Sequence, residues 1–137
     1  MATSPLAVAY LEKATVRLDV LALLESKGAY SDVVREAQEV VELATKAMLH
    51  SIGIDPPKWH DVGPLIVEYR DRFPPQVGAQ AEEIARITKR LRKEREFAFY
   101  GDIDFIPTAE YGPEDAQQAI REAAFVVSHA RAVIGSP

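Results

Sequence analysis

Apolar positions recur along most of this chain at spacings of three and four, the period of an amphipathic helix. The first such stripe holds Ala7, Leu11, Ala14, Leu18 and Leu21. Ser4 followed by Pro5 suits an N-cap and first turn, and Gly28 suits a stop, so a helix is predicted from Ser4 to about Lys27. A second helix starts at Ser31 or Asp32 and runs to about Gly53. It is apolar around much of its circumference, through Val33, Val34, Ala37, Val40, Val41, Ala44, Ala47, Met48 and Ile52. A helix of that kind belongs at the centre of a bundle, touching several neighbours. Its narrow polar side carries Asp32, Arg35, Glu36, Glu39, Glu42, Lys46 and His50.

Asp55-Pro56-Pro57 then breaks the chain, because a residue before proline is driven away from helical geometry. Asp61 caps a short third helix with Val62, Leu65, Ile66 and Tyr69, which Phe73-Pro74-Pro75 stops. A fourth helix is predicted from about Val77 to Tyr100, with Gly101 as its stop. The stretch from Gly101 to Gly112 reads as a loop, and Pro113-Glu114-Asp115 opens a fifth helix. Its stripe is Ala116, Ile120, Ala123, Val127, Ala130 and Ile134. The expected fold is all-α: an up-and-down bundle of four long helices and one short one, forming a single domain over residues 1–137.

Composition narrows the class. With 47% apolar and 27% charged residues the chain reads as a soluble globular protein. Its apolar runs are too short and interrupted to span a bilayer, so no membrane is expected. The N-terminal residues lack the parts of a secretory signal, and a cytoplasmic location is the natural expectation. There are no cysteines, which excludes disulfides and thiolate metal sites. The net charge of −5 argues against a protein that merely coats nucleic acid. It conceals a local inversion, however. Between Arg86 and Arg95 six basic residues face the single acid Glu94. Such a stripe attracts phosphate more than the neutral average suggests.

Angular arithmetic separates those cations. At about 100° per residue from Arg86, the apolar residues Ile84, Ile87, Leu91 and Ala98 cluster near roughly 130°, where the core should lie. Arg86, Lys89, Arg90 and Lys93 fall broadly opposite and are expected to be solvated. Arg95 falls near roughly 180°, at the edge of the packed seam, with Arg92 on the flank. A guanidinium there must meet an acid, backbone carbonyls, a ligand phosphate or a partner chain. Glu36, Glu39 and Asp102 are the candidate acids. Phe97 points outward among the basic residues, toward a second subunit or a stacked base.

Other chemistry is sparse. His60-Asp61 is a secondary candidate pair at the Pro-Pro turn, although capping by Asp61 and packing of His60 against Trp59 explain it more simply. His50 is expected to be exposed, and His129 to be structural. No histidine or acid spacing forms a metal site, no Gly-rich loop forms a phosphate cradle, and no cofactor is expected. Asp102 and Asp104 are two loop acids of a common kind.

Four stretches carry a resemblance to a known family. They are Arg35–Leu49 (REAQEVVELATKAML), Gly53–Asp61 (GIDPPKWHD), Arg92–Asp102 (RKEREFAFYGD) and Tyr111–Ala116 (YGPEDA). In this order and spacing the chain resembles the HEPN family, named for its occurrence in higher eukaryotes and prokaryotes and for nucleotide binding. The resemblance implies a five-helix, often dimeric domain, frequently working beside a minimal nucleotidyltransferase in a toxin–antitoxin-like pair. Many such proteins are metal-independent ribonucleases, with an arginine followed four to six residues later by a histidine. This chain departs from that pattern: Arg95 is followed by Glu96, Phe97, Ala98, Phe99 and Tyr100. A phenol is a poor general base at neutral pH, which argues against the usual ribonuclease activity.

The leading expectation is therefore a protein that binds a nucleotide or RNA phosphate with Arg92 and Arg95, while Tyr100 and Asp102 shape the site. A homodimer would bring two such helix ends together. The alternatives are a ribonuclease using Arg95 and Tyr100 as a variant motif, and a non-catalytic protein-interaction module.

Overall fold

The computed structural model describes residues 4–58 and 61–135 and has four long helices. Helix α1 spans Pro5–Ser26, α2 Tyr30–Ser51, α5 Ala81–Phe99 and α7 Pro113–Ile134. Three short ones lie between them: α3 at Gly63–Glu68, α4 at Pro75–Gly78 and α6 at Pro107–Glu110. None of the described helices is long and apolar enough to cross a membrane.

Local chemistry sets the ends of the long helices. Ser4 Oγ accepts the Ala7 N–H at 3.3 Å, satisfying one of the first-turn donors that lack a helical partner. At the other end of α1, Gly28 takes a positive φ of 71° while its N–H donates to Glu25 and that of Ala29 donates back to Leu24. This pair of bonds closes the carbonyl end of the helix, and the equivalent pair to His50 and Leu49 closes α2. Asp61 Oδ1 accepts the Gly63 N–H at 3.0 Å from one residue before Val62, which holds the N-cap position of α3 in place of the predicted Asp61. In α7 the Asp115 carboxylate accepts the Gly112 N–H at 2.8 Å.

Helix α2 is the hub, with α1, α7, α5 and α3 all packed on it. Its Val33, Ala37, Val40, Ala44, Ala47 and Met48 are fully buried. So are Leu11 and Leu21 of α1, Ile84 and Leu91 of α5, and Ala123 and Val127 of α7. One continuous apolar cluster results.

The fourth predicted helix is the main departure. It is two helices, α4 and α5, parted at Ala79 and Gln80. Gly78 lies so close to the Arg70 backbone that a Cβ would meet the Arg70 carbonyl oxygen at 2.6 Å. The Gln80 N–H then bonds Val77, three residues back, which tightens the turn and sends α5 off anew. The predicted 101–112 loop also has structure. Asp102 and Phe105 exchange backbone hydrogen bonds in a tight turn, and α6 follows.

Arg86 is exposed, as expected, but the solvated assignment of Arg90 is corrected: it is half-buried. Glu122 of α7 is only 8% exposed, and its carboxylate takes Arg86 Nη2 at 3.0 Å on one oxygen and Arg90 Nη2 on the other. Arg86 also holds Glu83 at 2.6 Å. Lys89 and Lys93 are exposed as expected. Helices α5 and α7 barely approach one another, so Glu122 is the bridge between them. Burial pushes the Arg90 guanidinium down, with Glu94 opposing that effect. Removing the carboxylate leaves this half-buried cation without its contact ion partner, with only the charges of Glu94 and Asp115 to offset it. Glu122→Ala should therefore destabilise the fold by roughly 2–3 kcal/mol in urea unfolding, whereas Glu83→Ala, in an exposed pair, should stay within about 1 kcal/mol. Equal, small effects from both would show that Glu122 is not a structural bridge.

Candidate functional site

The C-terminal half of α5 runs past the polar side of α2, and cations and acids alternate across that seam. Arg95 Nη2 lies 3.4 Å from Glu39, so the predicted pairing with α2 is present and Glu39 is the acid used. Arg92 approaches Glu42 at 3.9 Å, and Lys46 reaches the same carboxylate at 3.2 Å. Glu36, the other candidate partner for Arg95, is shared instead by Arg17 and Arg35.

Glu42 is the most firmly held acid of this group. Burial works to raise its carboxyl. The Gln38 amide, which donates to it at 3.0 Å, and the charges of Lys46 and Arg92 outweigh burial together and hold it below its usual value. Gln38 is itself 4% exposed, with its carbonyl oxygen lacking any partner among the described residues. Behind Arg92, this pair joins Asp61 and Thr88 in enclosing a narrow crevice.

On the outer side lies an open hollow of about 400 Å³, lined by Arg35, Arg92, Arg95, Phe99 and Tyr100. The Arg35 guanidinium sits 4.8 Å above the Phe99 ring. Phe99 and Tyr100 meet edge to face at 4.7 Å and remain 47% and 76% exposed. Three planar cations and two open rings thus border one concave surface. Guanidinium groups match the geometry of phosphate oxygens, and exposed rings offer faces on which a base can stack.

Of the predicted site residues, Arg92, Arg95 and Tyr100 come together here. Asp102 does not join them. It is exposed, and its Oδ1 accepts the Asp104 N–H at 2.8 Å inside the tight turn. Gly101 makes that turn possible: its φ is 65°, and a Cβ there would collide with the Phe105 carbonyl oxygen and the Pro107 ring. Phe97 faces outward as expected but also leans edge-on against Phe105 at 5.5 Å. Phe105 in turn meets Tyr111, whose hydroxyl donates to Glu94 at 2.6 Å. Burial and the Glu94 carboxylate push the Tyr111 phenol far up, so it stays a donor.

Sequence reasoning missed Arg35 as a site residue. The signal was its spacing of four from Glu39 and seven from Glu42, which sets all three on one face of α2. His60 lies outside the described residues. His50, expected to be exposed, is half-buried with its ring 5.6 Å from Tyr10. His129 packs 4.3 Å from Phe125 and shares a hydrogen bond with its carbonyl, a structural arrangement as predicted. Among the described residues no histidine lines the hollow and no cluster of three or more metal-binding side chains exists.

The family model of the HEPN domain matches residues 7–133, nearly the whole chain. The chain belongs to the HEPN family. Among curated proteins and among solved structures, nothing matches it. Membership supports a nucleotide- or RNA-related role for this HEPN chain.

Because the Glu42 carboxyl is held down in the folded state, it contributes stability above its ordinary value of 4.5, and that contribution is lost as pH falls. Glu42→Gln should thus melt below the parent near neutrality, and the gap should begin to narrow as pH falls below about 4.5 and vanish only below the lowered folded-state value. A gap independent of pH would refute the assignment of Glu42 as the charged anchor of Arg92 and Lys46.

Proposed function

We propose that this HEPN chain binds the phosphate of a nucleotide or RNA in the hollow at the end of α5. Arg92, Arg95 and Arg35 supply the cations, and Phe99 and Tyr100 supply the stacking surface. The observation that carries this reading is the convergence of three guanidinium groups from two helices on one open hollow of about 400 Å³. That is the size of an ordinary small-ligand site. The acids beside it do not forbid an anion. Arg95 is 46% and Glu39 28% exposed, and pairs this open to water are worth about 1 kcal/mol, so a phosphate can displace the carboxylate.

Binding rather than cleavage is the activity inferred, since Tyr100 stands where the family's ribonuclease pattern has a histidine, and a phenol is a poor general base at neutral pH. In this reading the protein acts in the cytoplasm as a homodimer that sets two arginine-lined ends near each other. Its partner is a minimal nucleotidyltransferase, in a toxin–antitoxin-like pair. Family membership supports the nucleotide- or RNA-related role, and a nucleotidyltransferase partner would share the nucleotide chemistry of the site.

Titration of a short single-stranded RNA at fixed salt tests the site. Arg95→Ala and Arg35→Ala should each weaken binding roughly tenfold or more, because hydrogen bonds to a charged partner contribute about 1.5–3 kcal/mol. Lys89→Ala, on the exposed outer face, should change affinity by less than about twofold. Parental affinity in Arg95→Ala would reject the site.

A further inference from the structure

The Arg92–Arg95 ridge has a second side. Across it from the first hollow lies another of about 320 Å³, lined by Tyr10, Leu43, Lys46 and Lys58 together with the same two arginines. Helices α1 and α2 and the loop after α2 build this side, whereas α2 and the end of α5 build the other. Each hollow has an aromatic surface, Tyr10 here and Phe99 with Tyr100 there. Each also has cations of its own in addition to the shared pair. Over the two hollows five basic side chains face two acids, Glu39 and Glu42. Both acids are already engaged, Glu39 by Arg95 and Glu42 by Lys46 and Arg92.

We infer that the second hollow is a subsite for an adjacent nucleotide, so that the preferred ligand is a single-stranded oligoribonucleotide of at least two residues. The inference rests on reading Arg92 and Arg95 as phosphate ligands. Each hollow combines an aromatic surface with basic residues of its own, and the two share the Arg92–Arg95 pair, a set of groups that the alternating bases and phosphates of one strand can occupy. One base stacks on Phe99 and Tyr100, and the linking phosphate sits on the Arg92–Arg95 ridge. The next base lies against Tyr10, and the phosphate beyond it meets Lys46 and Lys58. A mononucleotide fills one side only and leaves the other set of cations unused. Tyr10 suits a platform because it is half-buried and backed by the His50 ring at 5.6 Å, which limits its motion. Lys58 is exposed and holds no structural ion pair among the described contacts, so its charge is available to a ligand. Lys46, by contrast, also steadies Glu42, and replacing it would disturb Arg92 as well.

The test is calorimetric titration of the full chain with a uridylate ladder of one to four residues, using the parent, Lys58→Ala, Tyr10→Leu and Arg95→Ala. In the parent, affinity should rise about tenfold from one residue to two, equivalent to about 1.4 kcal/mol. Lys58→Ala and Tyr10→Leu should remove most of that step and leave mononucleotide binding unchanged, while Arg95→Ala should weaken every length. Lys58→Ala should also lower the salt slope of longer ligands by about 0.7, the loss of one phosphate contact on a single strand. Thermal melts check folding, and the exposed Lys58 keeps the test valid if Tyr10→Leu is unstable. A flat ladder with Arg95-dependent mononucleotide binding overturns the second subsite alone. No binding at any length overturns the phosphate reading beneath it.

Discussion

The burial of α2 is the constraint on which the rest of this molecule depends. A helix surrounded by α1, α7, α5 and α3 can keep only a narrow strip for polar side chains. Everything charged on α2 must lie on that strip, and the strip must lie where neighbouring helices leave a gap. The gap falls along the second half of α5, so Arg35, Glu39, Glu42 and Lys46 are delivered to one place by the packing of the valines and alanines behind them. The candidate site is a consequence of how the core closes.

Helix α5 responds to this with cations on both flanks of its apolar seam. Ile84, Ile87, Leu91 and Ala98 face the core, while Arg86 and Arg90 lean toward α7 and Arg92 and Arg95 toward α2. Each flank finds acids, but their burial differs. Glu122 is 8% exposed and holds two arginines, so that flank acts as a bridge between elements that otherwise scarcely touch.

The apolar pattern made the long helices readable from their residues alone. Ser4-Pro5 and Gly28 bound α1 because capping is decided within a few residues of chain. The stripe of α7 and the centrality of α2 were equally plain, since periodicity records which side is buried. What periodicity cannot record is the identity of the group opposite. Arg86 and Arg90 point away from their own helix's apolar seam, yet α7 places Glu122 there. The break between α4 and α5 was hidden for the same reason, because the close approach of Gly78 to the Arg70 backbone is a tertiary fact. Adjacency in sequence also misled. Asp102 follows Tyr100 by two residues, but the turn built on Gly101 carries it away from the hollow. Arg35, more than fifty positions away in sequence from Arg92 and Arg95, faces the hollow with them.

Depth therefore decides what the same arginine–carboxylate chemistry does on the two flanks of α5. On the α7 side, a displaced Glu122 carboxylate would itself be left buried and unpaired, so that pairing is fixed. On the α2 side the Arg95–Glu39 contact is the more open of the two, so in the proposed reading a phosphate takes the place of the carboxylate at smaller loss. Glu42 is intermediate: held down by Gln38, Lys46 and Arg92, it steadies the ridge while Glu39 yields. An exposed acid that occupies the cation until a better anion arrives keeps the arginine extended and oriented, which lowers the ordering cost of binding. The acidic residues beside the hollow, which at first sight speak against an anion site, are in this arrangement part of what prepares it.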